Sequence, residues 1–248
     1  MNQETVSMLA LPGDNQTIGV ALVISARDRQ LRLLRHPHVW EAVVRRNSTM
    51  SRWVDSESVS DVRPLSGIDH VHRTYVIDGK PVIAGVVPIG DALAATNPTL
   101  GLGISVGAME ACALRDVLFS GAENPTALTL QYQKFCDINV KAAVNMALSY
   151  DGHRLEEIDS EISGNRYETN DASWPITVAL ENGARHDPVV RRAHVGISSL
   201  LKDSAQVLEG DEIRQRLAQY MAGSRYPEGS LSRQELLSVV AEASELKA

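Results

Sequence analysis

Residues 81–118, PVIAGVVPIGDALAATNPTLGLGISVGAMEACALRDVL, constrain the fold most, because their pattern changes character once and sharply. Up to Ile89 the residues are apolar at nearly every position, the signature of a strand buried on both faces. After Asp91 come Asn97-Pro98 and two close glycines, Gly101 and Gly103. A run to Leu118 follows with helical spacing and many small residues, which permits close packing on a sheet. Such a chain needs a sheet before Asp91 and helices after it.

The flanking sequence fits that order. Residues 17–25, TIGVALVIS, are β-branched and apolar behind a Pro-Gly-Asp-Asn turn cluster and predict a strand. RHPHVWEAVVRRN predicts a helix, with Pro37 near its start and Val39, Trp40, Val43 and Val44 on one face. Residues 73–77 and 81–89 predict two strands around the Asp78-Gly79 turn, the second central and buried. Asn124 and Pro125 form a cap and first-turn proline ahead of Leu128, Tyr132 and Phe135 at helical spacing. Ser232 and Glu235 make a capping box before Leu236, Leu237 and Val240. The expected class is α+β, and the expected boundary is the loop at residues 121–125.

Three chemistries compete for the glycines. Gly103-Ile104-Ser105-Val106-Gly107 fits the GxSxG nucleophile elbow, which needs a strand delivering the serine straight into a helix. Pro98 and Gly101 interrupt any such strand, so Ser105 is expected inside the helix. Gly101, Gly103 and Gly107 also approach a dinucleotide fingerprint, but helices follow where a second strand is required. In the third reading Asp91 and the glycine turn serve one elongated ligand. A carboxylate at a strand end accepts hydrogen bonds from sugar-alcohol hydroxyls, and glycines at a helix start let backbone amides approach an electron-rich ring or phosphate. The plain alternative is an aspartate that merely caps a strand-to-helix turn.

Gly90-Asp91-Ala92, Pro98, Gly101 and Gly103, with small residues at Gly107 and Ala108, resemble the second flavin motif of FAD-dependent monooxygenases and halogenases of the para-hydroxybenzoate hydroxylase type. The resemblance covers most of the chain. PGDNQTIGVALVIS is similar to a strand of that family's substrate-binding sheet, DGKPVIAGVVPIGDA to the hairpin and last strand feeding the motif, and DGHRLEEI to the helical tail of one branch. It implies a partial substrate-domain β-sheet at residues 1–85, the last strand and helix of an FAD-binding domain at 86–120, and a C-terminal helical region at 121–248. It also implies that Gly90 and Asp91 hold the ribityl region, that Pro98 and Thr99 line the ring, and that the amides around Gly101, Leu102 and Gly103 face its pyrimidine edge. NAD(P)H would be the co-substrate.

The sequence departs from the family in three places. Ala94 stands where many hydroxylases have histidine, and Leu102 where related branches have arginine. A complete member also opens with a GxGxxG turn gripping the FAD pyrophosphate, and residues 1–88 contain none, since Gly13, Gly19 and Gly67 are isolated. The chain therefore looks like the C-terminal half of a flavoprotein: a late-starting gene model, a fragment, or one of two polypeptides.

Composition narrows the partners. A net charge of −7 offers no basic footprint for nucleic acid, and no window nears eighteen apolar residues. Without a signal-peptide pattern, and with only Cys112 and Cys136, both expected in the core, a cytoplasmic location is expected. His70 with His72, and His36 with His38, alternate like metal ligands but lack a third, so no metal site is expected. His153 and the acidic residues 155–161 are expected on a solvated helix face, and Trp40, Trp53 and Trp174 in the core. No catalytic base is identified. The expected function is an FAD-dependent oxidoreductase, a monooxygenase on a small organic or aromatic substrate, whose flavin site a second chain or second copy completes. The competing class is a non-catalytic accessory module.

Overall fold

The computed structural model describes residues 1–67 and 69–246. The strands are β1 (Val6–Pro12), β2 (Ile18–Ile24), β3 (Val71–His72), β4 (Val76–Ile77), β5 (Lys80–Pro81) and β6 (Ala94–Ala95). The helices are α1 (Pro37–Arg46), α2 (Gly103–Phe119), α3 (Pro125–Phe135), α4 (Lys141–Ser163), α5 (Ser173–His186), α6 (Pro188–Ser198), α7 (Ser204–Glu209), α8 (Asp211–Ala218) and α9 (Arg233–Glu245). The class is α+β. Among the described residues the strands form three separate antiparallel pairs, β1 with β2, β3 with β6 and β4 with β5, and no helix is long and apolar enough to cross a membrane.

The chain forms two compact units, each assembled from separated stretches. One holds Met1–Ser66, His153–Arg191 and Asp211–Ala248. In it the β1–β2 hairpin, α1 and α9 enclose a core of Val6, Met8, Leu31, Leu34, Val39, Val43, Val44, Leu236, Val239 and Val240. Pro37 opens α1 and buries Val39, Val43 and Val44 on one face, as its spacing predicts. The Ser232–Glu235 capping box is complete at α9, satisfying two amides that a helix start leaves unpaired. Trp174 is buried here, and Trp40 and Trp53 pack against the core.

The other unit holds Gly67–Gly152 and Arg192–Gly210. Its core gathers Leu93, Leu102, Val106 and Ala113 with Tyr132, Cys136, Val140 and Val144. Asn124 caps α3 by accepting the Ala127 N–H at 2.9 Å, and a π-helical turn, Cys136–Val140, continues α3 into α4.

Several expectations are corrected. The run at residues 81–89 is not a central strand: only Lys80–Pro81 pairs, across the Asp78-Gly79 turn, whose positive φ values at both positions make it a tight hairpin turn. Val82 and Ile83 are 58% and 61% exposed, and past Pro81 the Val82 N–H still donates to the Tyr75 carbonyl at 2.8 Å before the run leaves the hairpin. Gly85, at φ +79°, also breaks the extended run. Of the strand expected at 73–77 only Val76–Ile77 forms, as β4, while β3 lies just before it. β1, the partner of the predicted β2, went unread. Cys112 is exposed while Cys136 is buried. His153 is not solvated: it stacks on Trp174 at 4.4 Å and bonds to Asp171 and Tyr167. Within the acidic run Glu157 and Ile158 are buried.

Candidate functional site

Residues 85–103 are held by contacts from four elements. The Gly85 N–H donates to Thr129 Oγ1 at 3.2 Å, and the Tyr132 hydroxyl donates to the Pro88 carbonyl at 2.8 Å, both from α3. Gly90, at φ +61°, opens a 3-10 turn, Gly90–Ala92, that packs against α2. A Cβ at Gly107 would lie 3.7 Å from the Gly90 Cα, in ordinary van der Waals contact, so the turn packs directly on this part of α2. Arg73 donates to the Asp91 carbonyl at 2.9 Å through Nη1, and its backbone N–H donates to the Leu93 carbonyl at 2.8 Å. The Asp91 side chain is exposed and makes no hydrogen bond or ion pair among the described residues.

The glycine turn lies further along. Asn97 accepts the Thr99 N–H at 3.0 Å and so shapes the 3-10 turn Pro98–Leu100, which ends in Gly101 at φ +68°, a conformation that favours glycine. Leu102 is buried and precedes α2 without any side-chain cap, and the first turn of α2 carries no acidic residue. The amides of Gly103, Ile104 and Ser105 therefore have no intrahelical acceptor. A Cβ at Gly101 or Gly103 would meet nothing within 4 Å. Gly103 also has no positive φ, so neither backbone nor packing within the chain explains its missing side chain. Gly107, against which the Asp91 turn packs, is one helical turn from Gly103, about 6 Å along the axis. Gly90 and Asp91 thus lie in a turn packed on α2 near Gly107 and Glu110, while Pro98, Thr99, Gly101, Leu102 and Gly103 lead into the helix start. Ser105 lies inside α2 with no strand delivering it, which removes the nucleophile-elbow geometry.

The sequence reading missed Glu110. It is 0% exposed, accepts the Gly90 N–H through Oε2, and keeps a buried Oε1 with no partner. Burial pushes its carboxyl above the usual range, the Gly90 hydrogen bond opposes that rise, and the nearby Asp91 charge adds to it. Nothing local announces this role, since the amide it holds lies twenty residues earlier in the chain. A raised acid contributes stability that is complete below the unfolded pKa and lost as pH rises through the folded one. Glu110→Gln retains an acceptor for Gly90 and removes the titration. Its stability relative to wild type is expected to rise from pH 4 to pH 8 in denaturant melts, and parallel pH profiles would refute the assignment.

Among the described residues no three His, Cys, Asp or Glu side chains group so as to hold a metal ion. His70 instead pairs with Asp151 at 2.5 Å. Burial pushes the Cys136 thiol up to about 11, so it sits as an inert core group. No family model and no curated protein matches the sequence.

Proposed function

We propose that residues 90–103 form the ribityl- and ring-facing part of an FAD site, belonging to an oxidoreductase that acts as a monooxygenase on a small organic or aromatic substrate. The observation that carries this reading is the pairing of an unengaged Asp91 carboxylate with an uncapped helix start whose glycine leaves room on its open side. Asp91 accepts hydrogen bonds from ribityl hydroxyls. The free amides at residues 103–105 and the positive end of α2 favour negative charge at the ring's pyrimidine edge. Pro98 and Thr99 bound the space between. The flavin, when bound, supplies the redox chemistry with NAD(P)H and oxygen, and this chain orients it.

Under this reading residues 1–85 descend from a substrate-binding sheet, 86–120 from the FAD domain, and 121–248 form the helical region. The pyrophosphate grip lies outside these 248 residues, in further sequence of the same polypeptide or in a second one. The exposed side chains of Val82, Ile83 and Val86 after Pro81 leave apolar surface on which such a partner could rest. The same surface favours the second reading, a non-catalytic accessory module that docks through it.

Riboflavin and lumiflavin separate the two, because lumiflavin has the ring but no ribityl chain. Asp91→Ala is expected to weaken riboflavin about tenfold in a fluorescence titration, the loss of charge-assisted hydrogen bonds, and to leave lumiflavin unchanged. An accessory module would bind neither compound, and equal losses for both would remove Asp91 from the ribityl chain.

A further inference from the structure

Both ends of the candidate site are tied to the same short stretch, His70 to Arg73, by different chemistry. At the aspartate end, Arg73 donates to the Asp91 carbonyl. At the glycine end the link is longer. Asn97 Oδ1 accepts the Thr99 N–H, and Asn97 Nδ2 donates to Asp151 Oδ2 at 2.9 Å. His70 Nε2 lies 2.5 Å from that same carboxylate oxygen. Chemistry fixes the Asn97 amide one way round, because the Thr99 N–H needs an oxygen and the carboxylate needs a donor. Between these ends, β3 pairs with β6 through Val71 with Ala95 and His72 with Ala94, which brings the segment leading into Asn97 alongside.

We propose that Asp151, on α4, is a positioning residue of the ring-facing turn: by gripping Asn97 and His70 through one oxygen, it sets the direction of the Pro98–Leu100 turn and of the α2 amides that follow. The inference rests on the flavin reading of residues 90–103. A free asparagine side chain samples several rotamers and would hold Thr99 only part of the time. A carboxylate bond in a largely water-shielded place removes that freedom, because charge-assisted hydrogen bonds strengthen as local dielectric falls. The reach of Asp151 is thus through Asn97 to Thr99 and on to Gly101, without contact with the cofactor itself. Asp91 governs the ribityl chain and Asp151 governs the ring, so their variants leave different signatures.

The test uses the full chain as wild type, Asp151→Ala, Asp151→Asn and Asn97→Ala, with circular dichroism to confirm the fold. Exchange of the Thr99 amide is followed by NMR without flavin, and lumiflavin and riboflavin are titrated separately. Asp151→Ala and Asn97→Ala are expected to speed Thr99 exchange about tenfold and to weaken both flavins about tenfold. Asp151→Asn, which keeps an oxygen for Asn97 but loses the charge, is expected to fall between wild type and alanine, about threefold from wild type. Should Asp151→Ala fail to fold, Asn97→Ala reads the same link from its other side. Wild-type exchange and lumiflavin affinity in the alanine variants would overturn the proposal, as would an asparagine variant as defective as alanine. If Thr99 exchange responds as expected but wild type binds neither flavin, the positioning stands and the flavin reading falls.

Discussion

Gly103→Val is expected to weaken riboflavin binding about a hundredfold while shifting unfolding by less than about 0.5 kcal/mol. The stability half follows from the chain alone. Gly103 begins α2 without a positive φ, and a Cβ there meets nothing within 4 Å. A side chain there therefore starts from an unstrained backbone with open space around its Cβ, and replacing glycine in a helix offsets some of valine's lost rotamer freedom. The binding half follows from the ligand. An amide that donates to a ring atom must come within about 3 Å of it, and an isopropyl group on the same turn holds the ring off. Gly101→Val would be a poor substitute, since φ +68° adds strain of about 1 to 2 kcal/mol whatever binds. Fluorescence titration beside denaturant melts reads both quantities. Undiminished binding by the valine variant would mean that no ligand approaches this helix start.

Arg225→Ala is expected to cost about 3 kcal/mol, as breaking a buried ion pair leaves a carboxylate without its partner. Arg225 donates to Glu157 Oε1 at 2.7 Å through Nε and to Oε2 at 3.1 Å through Nη2, and to Glu181 at 2.8 Å through Nη1. Side-chain exposure is 17% for Arg225 and 6% for Glu157, so water cannot replace the fork. The guanidinium also lies over the Trp174 ring, 5.3 Å from its centre, adding a cation–π contact. Glu157 keeps Arg154 at 3.2 Å, which moderates the loss. Arg225→Lys retains the charge without the fork and is expected to fall between, since an ammonium cannot span both oxygens of Glu157. Urea unfolding checks the order, and a loss below about 1 kcal/mol for alanine would show the network to be solvated.

The parts of the fold legible in the sequence are those whose cause is local. Pro37, the Asn124-Pro125 pair and the Ser232–Glu235 box mark helix starts through residues within one turn, and the structure has each of them. The Asp78-Gly79 turn is equally local. The run at 81–89 misled because apolar continuity signals a buried strand only when neighbours supply ladders on both sides, and no described strand does so. Within the candidate site, Asp91 and the glycines were visible as residue types at a spacing. Glu110, Arg73 and Asp151 were not, because each acts on a backbone group or amide 18 to 54 positions away. Separation along the chain also hid His153, whose partners Tyr167 and Asp171 lie 14 and 18 positions on, in the loop beyond α4.

The central claim is that this chain holds the ribityl and ring portions of a flavin and no more of it. Titrating the full wild-type chain with riboflavin and with FAD tests that directly. These 248 residues contain no GxGxxG turn, so the pyrophosphate and adenosine should add little. The two dissociation constants are expected to agree within about threefold, with Gly103→Val as the negative control. Binding of neither compound, or FAD binding about a hundredfold tighter than riboflavin, would contradict the account.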